Sequence, residues 1–268
     1  MKLPATLCIV ASLLLSTSTA SAHKAWILPS ATVATQGEWV TVDAAVSNDL
    51  FYFNHVPLRL EALQITAPDG SRLSPQNPHT GRFRSVFDLA LEQSGSYRLA
   101  LVMDGLIASW EENGETKRLR GSRQDIEAAL PKQAENLRIT HSTSRVESFV
   151  TAGAPNTAAL QPTGVGLELK PITHPNDLYA GETARFVLLI DGQPAADQAL
   201  TLTPGATRYR DSQDEQTLRT NAKGEFSITW AAPGMYWLNT SVELDKNVMP
   251  PATLRRLGYA ATLEVLAP

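Results

Sequence analysis

Cysteine is nearly absent. The chain of 268 residues has one, Cys8, in an N-terminal stretch that reads as a removable secretory signal. It sits too near the start, without lipoprotein cleavage context, to be a lipid attachment site. A mature chain without thiols has no disulfide scaffold, thiolate metal site or iron–sulfur cluster. Basic excess is also missing: Lys and Arg number 23 against 27 Asp and Glu, for a net charge of −4. Such a balance gives no footprint for nucleic acid, and no basic amphipathic helix points to membrane insertion. The apolar run Leu7 to Leu15 is too short to span a bilayer, and no later run is long enough. There is no G-x-S-x-G elbow, phosphate loop, dinucleotide fingerprint or H-E-x-x-H pair. Glu111 and Glu112 are adjacent on a hairpin, so their carboxylates face opposite ways and make no acid/base pair. The chain reads as a protein without catalytic machinery.

What is present begins at the N-terminus. Lys2, the apolar run and the polar Ser16 to Thr19 lead to Ala20-Ser21-Ala22, an A-x-A cleavage site. Cutting after Ala22 removes residues 1–22 and makes His23 the first mature residue. Export and the lack of cysteine fit the bacterial periplasm. An N-terminal histidine carries a free α-amine and an imidazole, and amine and Nδ1 close a six-membered chelate ring. Such a pair prefers copper, nickel or zinc to magnesium or calcium.

Downstream, the pattern is of strands. Trp26 to Pro29 is a short apolar strand, and Glu38 to Val46 alternates with period two. Further strands are predicted at Leu58 to Thr66, Phe83 to Leu91, Gly95 to Val102 and Thr140 to Val150. Pro75 to Gly81 reads as a loop. Ala108 to Glu111 and Thr116 to Leu119 flank Asn113-Gly114, a tight hairpin turn. The one helix starts at Ser122, its N-cap, and Pro131 breaks it. The second half offers strands at Gly166 to Ile172, Ala184 to Ile190, Gln198 to Thr203, Glu225 to Trp230, Met235 to Val242 and Tyr259 to Leu266. The expected fold is all-β: two tandem immunoglobulin-like β-sandwich domains with one short helix. They occupy 23–150 and 164–268, with a small, polar linker at 151–163.

Five histidines remain after His23 becomes the terminus: His23, His55, His79, His141 and His174. His79 and His141 read as surface residues. His55 ends an aromatic loop, Phe51-Tyr52-Phe53, that leaves the strand expected beside the mature N-terminus. His174 lies in the turn Thr173 to Asp177. The metal set is therefore His23 and His55 sharing one ion, with His174 a weaker third. Asp49 and Glu38 are conceivable oxygen donors, though acids at strand edges are usually solvated.

Taken together, certain runs resemble a known family. His23-x-x-Trp26-x-Leu28-Pro29 after a signal is similar to the opening of NikM-like periplasmic nickel/cobalt transport components, also described as a domain of unknown function. So are Leu169 to Pro175, Ala180-Gly181-Glu182, Asp191 to Pro194 and Ala222 to Phe226. The resemblance implies a soluble periplasmic protein that captures or delivers a divalent transition-metal ion, nickel, cobalt, copper or zinc, through the N-terminal histidine. Its partner would be an inner- or outer-membrane metal transporter, since the family's membrane-spanning part is missing here. Two other readings stay open: a β-sandwich interaction module binding protein or glycan, and a copper oxidase built on a histidine brace.

Overall fold

The computed structural model describes residues 23–131 and 133–268. The signal expected over 1–22, with its cut after Ala22, lies outside them. The first half contains β1 (Lys24–Pro29), β2 (Val33–Ala34), β3 (Trp39–Ser47), β4 (Val56–Pro57), β5 (Leu63–Thr66), β6 (Arg72–Leu73), β7 (Gln76–Thr80), β8 (Ser85–Ala90), β9 (Gly95–Glu112) and β10 (Glu115–Gly121). The helix α1 (Arg123–Ala129) and β11 (Glu135–Ala152) follow. The second half contains β12 (Leu167–Pro171), β13 (Thr183–Ile190), β14 (Gln193–Pro194), β15 (Ala199–Pro204), β16 (Gln216–Arg219), β17 (Glu225–Thr229), β18 (Gly234–Leu244) and β19 (Leu254–Val265).

The chain is all-β, with two immunoglobulin-like sandwich halves and one α-helix among the described residues. Its organising layer is a ten-stranded sheet in the order β16-β15-β18-β19-β11-β9-β5-β6, with β10 and β2 attached. One end of this sheet is covered by β1-β3-β8-β7 with β4, and the other by β12-β13-β14 with β17. A buried core fills each space. Trp26, Ile27, Phe87, Tyr97 and Leu99 lie in the first; Phe186, Leu188, Ile228, Trp230 and Tyr259 lie in the second. The halves meet where β11 and β19 pair in parallel from Thr140↔Leu254 to Glu147↔Ala261. Residues 151 and 152 are the last of β11, where Thr151 pairs with Val33, and Ala159 and Leu160 in the following segment are buried.

Charged residues are buried at this seam. Arg145 donates to Glu147 at 3.1 Å and lies 3.4 Å from Glu168. The Tyr259 hydroxyl donates to the other Glu147 oxygen at 2.9 Å. Burial raises the Tyr259 phenol well above its ordinary value, and the Glu147 carboxylate adds to that. Glu168 also accepts from the Thr163 and Gly164 backbone N–H groups, at 2.8 and 2.7 Å. Charges so deeply buried persist only when paired and hydrogen-bonded.

Three local features depart from the expected pattern. The run Leu58 to Thr66 is extended only at β5, because β4 belongs to the covering sheet and β5 to the shared one. The chain crosses between layers through a turn closed by Leu63 N–H donating to the Leu60 carbonyl at 2.9 Å. The expected loop at Pro75 to Gly81 contains the exposed edge strand β7, with its register shifted between Gln76 and His79. Pro78 fits there because an edge strand at a bulge tolerates a missing N–H. Finally, β9 runs unbroken through Met103-Asp104-Gly105, where the apolar pattern lapses, since β11 pairs with it along nearly its whole length. The helix follows its signal. Ser122 Oγ accepts from the Asp125 N–H, and the Asp125 carboxylate accepts from the Ser122 N–H at 2.8 Å, a reciprocal capping box.

Candidate metal centre

Strand β3 carries the candidate site at its end. On one edge it pairs with β1, Lys24 opposite Ser47. On the other it pairs with β4, Val46 opposite Val56. His23 and His55 are the residues just before β1 and β4, so they flank the same end of β3 from two sides. Neighbouring strands are about 4.8 Å apart, so two side chains from strands on either side of β3 can meet above it. They do. The imidazoles of His23 and His55 stack with centroids 3.9 Å apart and planes 2° from parallel. His23 is exposed and His55 half-buried. Neither ring is hydrogen-bonded to another described residue.

The loop that delivers His55 is fixed by its own chemistry. The Trp26 indole N–H donates to Ser47 Oγ at 2.8 Å, and that hydroxyl donates to the Asp49 carbonyl at 2.7 Å. Asn54 clamps the loop from inside. Its amide donates to the Asp49 carboxylate at 2.7 Å, and its oxygen accepts from the Asn48 N–H at 3.0 Å. Phe51 adopts φ 61°, a left-handed conformation costly for a residue with a bulky side chain. Packing offsets that cost: the Phe51 ring meets Trp26 edge-on at 5.5 Å, and Phe53 packs on the same indole at 5.5 Å. Gly205 makes room, since a Cβ there would lie 3.2 Å from the Phe51 ring and 2.9 Å from the Met235 carbonyl oxygen. The Leu50 N–H donates to Thr207 Oγ1 at 3.2 Å, tying the loop to the second half.

The start of β1 is anchored by residues that carried no signal in the sequence. The Lys24 ammonium, buried, donates to Gln213 Oε1 at 2.5 Å and lies 3.7 Å from Glu215. The Trp237 indole N–H donates to the Ala25 carbonyl at 2.9 Å. Both partners come from the second half, so the residue after His23 is held across the molecule. Only the topology reveals this; a Lys two residues before a Trp has no distinctive spacing.

His174 is elsewhere. It belongs to a closed hydrogen-bond ring near the pairing of Thr151 with Val33, which β1 separates from His23 by about 20 Å at strand rise. The Asn176 N–H donates to Nδ1 at 3.2 Å, so Nε2 carries the proton and donates to Ser96 Oγ at 2.8 Å. Ser96 and Thr151 hydroxyls are 2.9 Å apart, and Thr151 Oγ1 donates to Asn176 Oδ1 at 2.9 Å. Burial pushes the His174 imidazole below its ordinary value, against the upward pulls of the Asn156 backbone and Asp177. With both nitrogens committed, this ring holds structure rather than joining the pair. Of the remaining candidates, His79 is exposed on β7, His141 Nε2 lies 2.9 Å from Asp104, and Glu38 accepts from the Thr35 N–H at 2.8 Å in a turn.

The donor set can be tested against an ion. Two imidazole nitrogens at about 2.0–2.1 Å from one ion are roughly 3 Å apart when they occupy adjacent positions. Imidazole lone pairs lie in the ring plane, so rings 3.9 Å apart and 2° from parallel stand side by side without converging on one point, and one ring must turn out of the stack for both to hold the same ion. Among the described residues no three His, Cys, Asp or Glu side chains group to hold an ion. The third donor at this end of β3 would be the His23 α-amine, free only in a chain that starts there.

The all-β sandwich sets the class of the protein. The chain belongs to the family described as "Domain of unknown function (DUF4198)", whose model matches residues 20–244. That match spans the histidine pair and both halves. No curated protein matches. Among solved structures, the chain is similar to the human OSCAR ligand-binding domain at 14% identity, covering 91% of this chain and 99% of that one, TM-score 0.21. It is also similar to the D0-D1 domain of intimin at 12% identity, covering 89% and 97%, TM-score 0.21. A marsupial T cell receptor matches at 13% identity, covering 91% and 72%, TM-score 0.22. Overlays this loose carry no argument about function.

Proposed function

We propose that this protein is a periplasmic metal-binding protein that captures a divalent transition-metal ion, of the nickel, cobalt, copper and zinc group, and passes it to a membrane transporter. The observation that carries the reading is the parallel stack of His23 and His55, 3.9 Å apart, at the end of β3. In the mature chain the His23 amine and Nδ1 form a chelate, and a His55 nitrogen adds a third donor. Three nitrogen donors suit nickel and copper best, and oxygen-seeking magnesium and calcium least. The fixed loop and the anchored β1 keep the two imidazoles side by side without metal, so binding needs a side-chain rotation at exposed His23 rather than ordering of the backbone. An exposed His23 leaves the ion open on one side, as transfer to a partner requires. The role is capture and delivery, without catalysis.

The experiment is to export the full chain, measure its intact mass and quantify its bound metal. A mature chain beginning at His23, with near one equivalent of nickel, cobalt, copper or zinc, is the expected result. A chain starting at any other residue would remove the amine donor and the proposal with it.

A further inference from the structure

Beyond the sandwiches, β9, β10 and β11 extend as a sheet of their own, backed on one face by α1. Leu106, Ala108, Trp110 and Ile139 face Ile126 in a small core there. The opposite face is a cavity of about 590 Å³ that includes Arg118, Arg120 and Arg138 in its lining. Register fixes their arrangement. Arg118 and Arg138 both sit opposite Ser109, one on each side of β9, so their Cα atoms are about 10 Å apart with a small side chain between. Arg120 is two residues along β10, on the same face and about 7 Å from Arg118. All three are exposed and form no ion pair with a described residue. The fourth arginine, Arg256, is already paired with Glu243, and Glu111 accepts from the Asn136 amide at 2.8 Å.

Three unpaired guanidinium forks in a net acidic chain, around a hollow of small-molecule size, match a compact anion with several oxyanion groups. Planar forks take carboxylate or phosphate bidentately.

We infer that this face binds a small anion bearing two or more carboxylate or phosphate groups, clamped by Arg118, Arg120 and Arg138. The inference is independent of the histidine pair and is tested on metal-free mature protein. Citrate, pyrophosphate and acetate are titrated by calorimetry at about 0.15 M ionic strength. Saturable one-to-one binding of citrate or pyrophosphate, with acetate far weaker, is expected. Arg118→Gln and Arg138→Gln should each weaken it by about ten- to a hundredfold, whereas Arg82→Gln, on another surface, should not. If a glutamine variant fails to fold, Arg118→Lys and Arg138→Lys keep the charge, lose the fork and should still weaken binding about tenfold. The proposal is overturned if neither probe saturates, if Arg82→Gln weakens binding equally, or if only a long polyanion such as heparin binds.

Discussion

Two histidine environments in one fold show what makes this residue a ligand or a brace. His174 has both ring nitrogens bonded, to the Asn176 N–H and Ser96, and lies in a ring of hydrogen bonds between the halves. His23 and His55 touch each other face to face, and neither ring is hydrogen-bonded to another described residue. The first arrangement rigidifies the seam and leaves nothing for an ion. The second leaves the ring nitrogens without a hydrogen-bond partner among the described residues, on two rings that the loop and β1 bring side by side. Burial sharpens the contrast, since His174 is held neutral by desolvation whereas His23 is exposed. A residue's donors, rather than its type, decide its use.

The comparison can be broken by separating stability from metal affinity. Glu147→Ala should have the largest effect, because it removes the carboxylate that buried Arg145 and Tyr259 share and leaves Arg145 only Glu168. Chemical denaturation should show a loss of about 3–5 kcal/mol, with metal affinity unchanged in whatever fraction stays folded. His174→Ala leaves Ser96 and Asn176 short of partners and should cost about 1–3 kcal/mol, again sparing the metal. His55→Ala should do the reverse: metal affinity falls by roughly a hundredfold, about 2.7 kcal/mol, while melting temperature in the absence of metal moves little.

Acidity offers a subtler discrimination. The His174 pKa is lower folded than unfolded, so the unfolded chain takes up the proton first. Its contribution is complete above about 6.5, the ordinary imidazole value, and is lost as pH falls from there toward the folded pKa. Denaturation midpoints measured across this window should decline, and His174→Gln should flatten the decline. Metal affinity should also fall with acid, because protons compete for imidazole and amine, but His174→Gln should leave that dependence untouched.

Much of this was legible in the chain. Asn113-Gly114, the Ser122 cap and the β-branched alternations marked their elements because local chemistry alone decides them. The meeting of His23 and His55 followed from the order of strand, turn and aromatic loop. Other features depend on distant partners. Nothing near Lys24 announces Gln213 or Glu215, and the long β9 is sustained through Gly105 by β11 rather than by its own pattern. His174 misled for the same reason: its turn looks open in sequence, and Ser96, 78 residues away, closes it. The arginine face was hidden too, because Arg118 and Arg138 become neighbours only through the register of three strands.

The most direct test is calorimetric titration of nickel and copper into mature protein beginning at His23, and into the same protein with one alanine added before it. The added residue turns the α-amine into a peptide nitrogen and changes nothing else in the fold. The account predicts one site per chain in the first protein and at least a roughly tenfold weaker one in the second. Equal affinity in the two would contradict it, leaving the stacked histidines an ordinary surface contact.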